Sequence, residues 1–287
     1  MAQLLAIDWG TTNRRVYVLD ANGAVLATDR DDRGMLAMEG RDYGAELDVL
    51  RGRYGDLPVL IAGMAGANRG WREAAYRSCP AGIAELAESI CWMEPGRTGI
   101  VPGVSFDSGE RADVMRGEEV QVLGAVQAGM AEPDALLCQP GTHCKWVEMA
   151  MGRIAAFTTA MTGELFALLR RDSILSGTIA GTVTDGEAFR HGVAQARRGD
   201  LLANLFGVRA GVLLGKRDAE ESASYASGLL IGADVAARPL DRPVTILADP
   251  ELGGLYATAI ELCGGTGRIA DSHTAFVAGI TAIWRAL

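Results

Sequence analysis

Apolar residues fall in short runs and at two periods along this chain. Runs with strand character occupy 4–9, 15–20, 24–28 and 58–63. Helical spacing follows at 43–53 and at 80–90, where Ile83, Leu86, Ala87 and Ile90 recur on one side. Residues 100–104 read as a short strand or its edge, and 117–127 as a helix with Val120, Leu123, Gly124 and Gln127 along one face. A strand at 135–139, a turn at 140–146 and further strand at 147–151 and 154–157 come next. The spacing predicts a helix over 162–171, with Thr162 as N-cap and Leu165, Leu168 and Leu169 buried. From 185 on the pattern is mostly helical. Phe189, Val193 and Ala196 share a face, and 223–237 carries Ala226, Gly228, Gly232 and Ala233, small enough for close helix packing. A buried strand at 244–248 leads through a turn at 249–254 into a helix at 255–262, and a last helix fills 274–287. The chain is therefore of the α/β class.

The first strand ends in Asp8-Trp9-Gly10-Thr11-Thr12-Asn13, and a second strand follows at once. Small residues at Gly10, Thr11 and Thr12 let backbone amides approach phosphate oxygens, with hydroxyls as further donors, and an aspartate at a strand end can hold Mg²⁺ through water. An ordinary hairpin with a Gly/Thr turn is the alternative. The pattern recurs at Leu136-Leu137-Cys138-Gln139-Pro140-Gly141-Thr142-His143-Cys144-Lys145-Trp146, near the start of the second half of the chain. Strand, small-residue turn and strand thus occur twice, as expected of two related domains that hold one nucleotide.

The 287 residues, 49% hydrophobic, suffice for two domains with substantial cores. A formal net charge of −9 disfavours general nucleic-acid binding but leaves room for an anionic small substrate held by local arginines. No apolar run reaches membrane-spanning length, so no membrane partner is expected and a cytoplasmic location is. The five scattered cysteines read as reduced thiols; Cys138, His143 and Cys144 lack a fourth ligand and are not taken as a zinc site. A homodimer stays open. The polar, turn-like stretch around 105–117 is the expected junction, giving domains 1–112 and 113–287, with the last helix free to pack back on the first.

Several blocks resemble the 2-dehydro-3-deoxygalactonokinase family, sugar-acid kinases of the actin-like ATPase and sugar kinase superfamily. They are Ile7-Asp8-Trp9-Gly10-Thr11-Thr12, Gly63-Met64-Ala65-Gly66 with Gly70-Trp71, and Asp113-Val114-Met115-Arg116-Gly117-Glu118-Glu119. Further on stand Pro140-Gly141-Thr142-His143-Cys144-Lys145-Trp146, Thr162-Gly163-Glu164-Leu165-Phe166 and Ser227-Gly228-Leu229-Leu230-Ile231-Gly232. The resemblance runs in order over nearly the whole chain. It implies an actin-like, ribonuclease H-like fold with a mixed sheet in each domain and a central cleft. It also implies ATP and Mg²⁺, and phosphorylation of 2-dehydro-3-deoxy-D-galactonate at its 6-hydroxyl. The departures, at 12–14, at 65–67 and at Ala248, bear on the sugar more than on the reaction.

The resemblance also distributes roles. Asp8 would organise Mg²⁺. Gly10, Thr11, Thr12, Gly141 and Thr142 would cradle phosphates, with Lys145 and Arg15 as supporting charges. An acid placed before the helix that leads to the second hairpin would accept the hydroxyl proton: Glu118 holds that position, with Asp113 and then Glu119 as alternatives, and first-turn acids favoured by the helix dipole as the plain explanation. Asn68, Arg69 and Trp71, with Trp9, Met64, Arg15 and Glu164, are candidates to bind the sugar acid, an arginine fork suiting its carboxylate. A surface helix anchored by Trp71 and Tyr76 is the alternative there. Asp249, Gly253 and Gly254 stand where the nucleoside is expected, or form a plain turn with Pro250 at a helix start. Two other classes stay in play: a phosphohydrolase of the same fold, such as an exopolyphosphatase, and a non-catalytic filament or nucleotide sensor.

Overall fold

The computed structural model describes residues 1–287. The first elements are β1 (Ala2–Trp9), β2 (Arg14–Asp20), β3 (Val25–Asp31), α1 (Tyr43–Tyr54), β4 (Val59–Gly63), β5 (Arg77–Ser78) and α2 (Ile83–Glu88). They are followed by β6 (Cys91–Glu94), β7 (Thr98–Ile100), β8 (Val104–Asp107), β9 (Ala112–Met115) and α3 (Glu118–Gln127). The second half carries β10 (Leu136–Gln139), β11 (Cys144–Ala150), β12 (Arg153–Ala160), α4 (Thr162–Asp172), α5 (Glu187–Ala196) and α6 (Leu201–Leu213). It closes with α7 (Ser222–Ala236), β13 (Val244–Leu247), α8 (Pro250–Leu262), β14 (Gly267–Ala270) and α9 (Ser272–Arg285). No helix is long and apolar enough to cross a membrane.

Two compact units result. The first comprises Met1–Asp134, Val147–Phe157 and Ser272–Leu287; the second comprises Ala135–Trp146 and Thr158–Asp271. The division falls after Asp134 rather than between 112 and 113, because α3 stays with the first unit. There it packs on α9 with the two backbones in direct contact: a Cβ added at Gly124 would collide with the Ala275 carbonyl, and one at Gly279 with the Val120 carbonyl. The stretch expected as a junction is not a linker either. β8 and β9 pair antiparallel, and β5 joins β8 in parallel to complete a three-stranded sheet.

The first unit is built on a six-stranded sheet in the order β3-β2-β1-β4-β7-β6. β1, β2 and β3 form an antiparallel meander, whereas β1, β4 and β7 run parallel. Parallel central strands are covered on both faces, so β4 is buried throughout its length, as its continuous apolar run requires. The core joins Leu5, Ile7 and Trp9 of β1 to Leu47 and Leu50 of α1 and to Ile61 and Ile100.

The five-stranded sheet repeats that plan, β12-β11-β10-β13-β14, with β10, β13 and β14 parallel. Third, second, first, then two parallel strands is the same order in each sheet, which is the duplication visible in the sequence. In the second unit α5 and α7 press together at glycines: Cβ atoms at Gly192 and Gly228 would meet the Tyr225 and Phe189 carbonyls.

Local departures have physical reasons. α2 is shorter than the apolar spacing over 80–90 suggests, because Cys91 already belongs to β6. The second hairpin turn ends at His143, since Cys144, Lys145 and Trp146 are buried strand residues of β11. In α4, Thr162 is buried but Leu165 and Leu168 are exposed, and Thr162 is not the N-cap. The helix is held by its first turn, where the Thr162 hydroxyl donates to Asp234, and only Phe166 and Leu169 pack partly on the core below.

Candidate active site

The C-terminal ends of β1 and β4 meet the start of α3. In the parallel register Asp8 lies beside Ala62 and Trp9 beside Gly63. Gly63 turns the chain at φ 97° and Gly117 at φ 102°, conformations that suit glycine, and a Cβ on Gly117 would stand 3.1 Å from the Gly63 Cα. This contact seats the first turn of α3 against the end of β4, the strand beside the β1 end that carries Asp8. Burial pushes the Asp8 carboxyl up to about 6; Arg15, 3.6 Å away, opposes the shift and the charge of Glu118 adds to it. Asp8 and Glu118 are therefore electrostatic neighbours.

The two glutamates of α3 have different environments. Glu118 is half-buried and accepts from the Arg116 amide at 3.0 Å. Glu119 is fully buried, and its two oxygens accept from the Gly117 amide at 2.9 and 2.7 Å. Burial, reinforced by the charge of Glu118, pushes its carboxyl up to about 8. Of this pair, Glu118 is the one within reach of a substrate. Asp113 lies on β9 opposite Phe106, not at the first turn of α3.

The first hairpin turn is tied down from behind. The amides of Gly34, Met35 and Leu36 donate to the carbonyls of Thr12, Gly10 and Thr11, and Gly34 lies so close that a Cβ would overlap the Thr12 backbone. With their carbonyls engaged, the Thr11 and Thr12 amides donate to no protein acceptor and both residues are exposed. Asp8, Gly10, Thr11, Thr12, Asn13 and Arg15 line an open cavity of about 170 Å³. A charged frame of Arg14, Asp31, Glu46 and Arg33 holds the segment behind it.

Trp9 is a core residue: it is fully buried, its indole N–H donates to the Arg33 carbonyl at 2.8 Å, and its ring packs 4.9 Å from Tyr43. Its large apolar ring fits the inward-facing position of β1 better than a sugar. Met64, half-buried, opens a compact loop in which Trp71 and Ala74 donate backwards to Ala65 and Gly66. Trp71 stacks flat on Tyr43 at 5.7 Å, whereas Asn68 and Arg69 are exposed and Arg69 lies 3.6 Å from Glu39.

In the second unit, α4 starts against the other hairpin. Gly163 rests on the Gly141 carbonyl, leaving no room for a Cβ, and the Glu164 amide donates to the Thr142 carbonyl at 2.8 Å. Glu164 Oε2 lies 2.7 Å from His143 Nε2, so this carboxylate is engaged by the hairpin tip. Lys145 is buried and donates to Thr159 Oγ1 at 3.0 Å. Gly141, Thr162, Gly163, Phe166, Ser227, Leu230, Ile231, Leu252 and Tyr256 enclose a largely apolar cavity of about 80 Å³. Asp249 caps α8 by accepting from the Leu252 amide, Gly253 packs on Ile269, and Gly254 faces open space.

Three residues of this architecture carry no clear signal in the sequence. His143 stands out there only as a metal-ligand candidate. Arg116, buried beneath the ring of Tyr76 and donating to the Ala74 carbonyl, joins the loop after β4 to the start of α3. Asp234 is the one charged residue of α7, and a lone acid in an apolar helix was the signal available.

Comparison with known proteins agrees with this architecture. The activator of 2-hydroxyisocaproyl-CoA dehydratase from Clostridium difficile shares the fold, with a TM-score of 0.53 at 10% identity over 99% of this chain and 95% of its own. A crystal structure of a Sinorhizobium meliloti protein assigned as a 2-dehydro-3-deoxygalactonokinase is 38% identical, with a TM-score of 0.91 over 99% of this chain and 98% of that one. The 2-dehydro-3-deoxygalactonokinase of Escherichia coli K12 is 33% identical over 100% of this chain and 99% of its own. These relatives define a carbohydrate kinase on the actin-like ATPase fold, a class whose phosphoryl donor is ATP. Residues 8–283 match the family described as 2-keto-3-deoxy-galactonokinase, and the chain belongs to that family.

Proposed function

We propose that this protein transfers the γ-phosphoryl group of ATP to the 6-hydroxyl of 2-dehydro-3-deoxy-D-galactonate, giving ADP and 2-dehydro-3-deoxy-6-phosphogalactonate. The carrying observation is the approach of Asp8 and Glu118 beside a hairpin with unengaged Thr11 and Thr12 amides. Phosphoryl transfer asks a protein for alignment, charge neutralisation and a proton acceptor. Glu118 is the acceptor for the hydroxyl proton. The Thr11 and Thr12 amides donate to phosphate oxygens, as backbone amides in small-residue turns do, and the Gly141-Thr142 turn is a phosphate-binding turn of the same kind. Asn68, Arg69 and Arg15 meet the sugar acid. The apolar cavity walled by Gly163, Phe166, Leu230 and Leu252 takes the base, with Gly253 and Gly254 along its approach.

No cluster of three or more metal-ligating side chains is present. Asp8, the one carboxylate lining the cavity at the first hairpin, fits Mg²⁺ held mainly by nucleotide phosphates and water. Mg²⁺ bound there would neutralise phosphate charge, and its cation would favour the ionised form of Asp8. We place the protein among soluble cytoplasmic enzymes that need neither nucleic acid nor membrane.

The test is ADP release from ATP and Mg²⁺ under three conditions: no sugar, 2-dehydro-3-deoxy-D-galactonate, and its gluconate epimer. Release that depends on the galactonate form supports the proposal. Equal use of both epimers keeps the kinase and removes the stereospecificity. Release without sugar replaces the kinase by a phosphohydrolase.

A further inference from the structure

Asp234 sits in the last turn of α7, and its side chain is 3% exposed. Its two oxygens serve different partners. Oδ1 accepts from Trp146 Nε1 at 3.1 Å and from Arg238 Nη2 at 2.8 Å. Oδ2 accepts from Thr162 Oγ1 at 2.9 Å and, more weakly, from the Tyr256 hydroxyl at 3.5 Å. A buried carboxylate is tolerated when every lone pair is supplied in this way, and such a network holds its members in one arrangement.

The partners are not scattered. Trp146 lies in β11, three residues past the tip of the second hairpin. Thr162 is the first residue of α4, and the next two residues grip that hairpin: Gly163 rests on Gly141, and Glu164 donates to Thr142. Thr162 and Tyr256, the two Oδ2 partners, also line the apolar cavity. One carboxylate therefore fixes the strand leaving the hairpin, the helix start that braces it, and a wall on α8.

We infer that Asp234 is a positioning residue for the nucleotide, which it never touches: through Thr162 and Tyr256 it holds the second hairpin and the cavity wall where phosphates and base bind. This rests on the second hairpin being a phosphate site. A carboxylate that served only to neutralise Arg238 would leave the hydroxyl side of the network without consequence for ligands.

The experiment separates the two halves of the network in the full-length protein. Thr162→Val keeps the shape and removes the bond to Oδ2; Thr162→Ser restores a hydroxyl. Asp234→Asn keeps an acceptor for Trp146 and Arg238 and replaces the other oxygen by a donor. Kd for ADP with MgCl2 is read by calorimetry, KM for ATP and for sugar acid by the coupled assay, and Tm by circular dichroism. Thr162→Val and Asp234→Asn should each raise Kd for ADP and KM for ATP about tenfold, with KM for the sugar acid within about twofold of wild type. Thr162→Ser should return Kd to within about twofold.

Val208→Ala, in the core under α6, is the control: Tm falls and Kd for ADP stays put. Wild-type Kd in both Thr162→Val and Asp234→Asn overturns the role, and so does a Val208→Ala protein that loses affinity as much as they do. If Asp234→Asn does not fold, the Thr162 pair decides alone. A wild-type protein that binds ADP but shows no sugar-dependent turnover sinks the kinase proposal and leaves this comparison standing. One that binds no ADP overturns the positioning role as well.

Discussion

Gly117 and Gly63 touch, and through that contact the first turn of α3 rests on the end of β4. A side chain at Gly63 would strike the Trp9 carbonyl, and one at Gly117 would crowd the Gly63 Cα. Gly117→Ala would put a Cβ 3.1 Å from the Gly63 Cα on a backbone at φ 102°. It should cost about 1–3 kcal/mol in stability. Because Glu118 is the next residue, kcat should fall while Kd for ADP is kept. Urea denaturation and steady-state kinetics on one preparation check both parts, and a Gly117→Ala enzyme with wild-type kcat would dissociate the turn from the chemistry.

Glu118→Gln should lower kcat about 10²–10⁴-fold and leave ADP binding intact, since a general base acts on the transition state rather than on the bound nucleotide. The same kind of change at Asp113, on the small sheet, should leave kcat within about threefold of wild type. Parallel assays of the two variants assign the base.

Glu119 makes stability depend on pH. In the unfolded chain its carboxyl titrates near 4.5; in the folded protein it is pushed up to about 8. Between those values the unfolded state has released the proton and the folded state keeps it, so stability falls as pH rises, by up to roughly 1.4 kcal/mol per pH unit from this group. Below 4.5 the contribution is complete, and above 8 it has been lost. Glu119→Gln should flatten this part of the profile and raise Tm relative to wild type at about pH 8–9. Melting curves from about pH 5 to 9 measure it, and parallel profiles for the two proteins would count against a neutral Glu119.

Gly124→Ala would drive a methyl into the Ala275 carbonyl where α3 and α9 cross. Overpacking at backbone contact should cost about 3 kcal/mol or more. The loss should be global rather than confined to a helix end, which amide exchange in β1 would register.

Much of this fold was legible because its signals are local. β1, β2, β4, α1, α3 and α8 follow from apolar period and turn residues, and the repeated hairpin announced the repeated sheet order. Short edge strands were harder: β6 and β14 lie beside strands of their own sheets and carry little pattern. Leu165 and Leu168 misled because amphipathic spacing tells which face could be buried, not whether anything covers it. Trp9 and Glu164 misled for another reason. Each adjoins a glycine, Gly10 in the hairpin turn and Gly163 in α4, yet one side chain faces the core and the other meets His143, a partner 21 residues away. That Asp8 lies at a strand end, Glu118 at a helix start and the hairpin glycines in turns was legible, because motif spacing and chain direction fix those places. The Asp234 network was not, because it joins residues from 146 to 256 that only the folded second unit brings together.

The return of α9 to the first unit sets an order of assembly on the ribosome. The second unit has all its residues once Asp271 has emerged, whereas α3 waits for Ser272–Leu287 before it finds its neighbour. A stop codon shortly after Asp271 would thus do its damage far from the stop: the first unit would be left with the Gly124 surface of α3 bare, while the second unit kept all its residues.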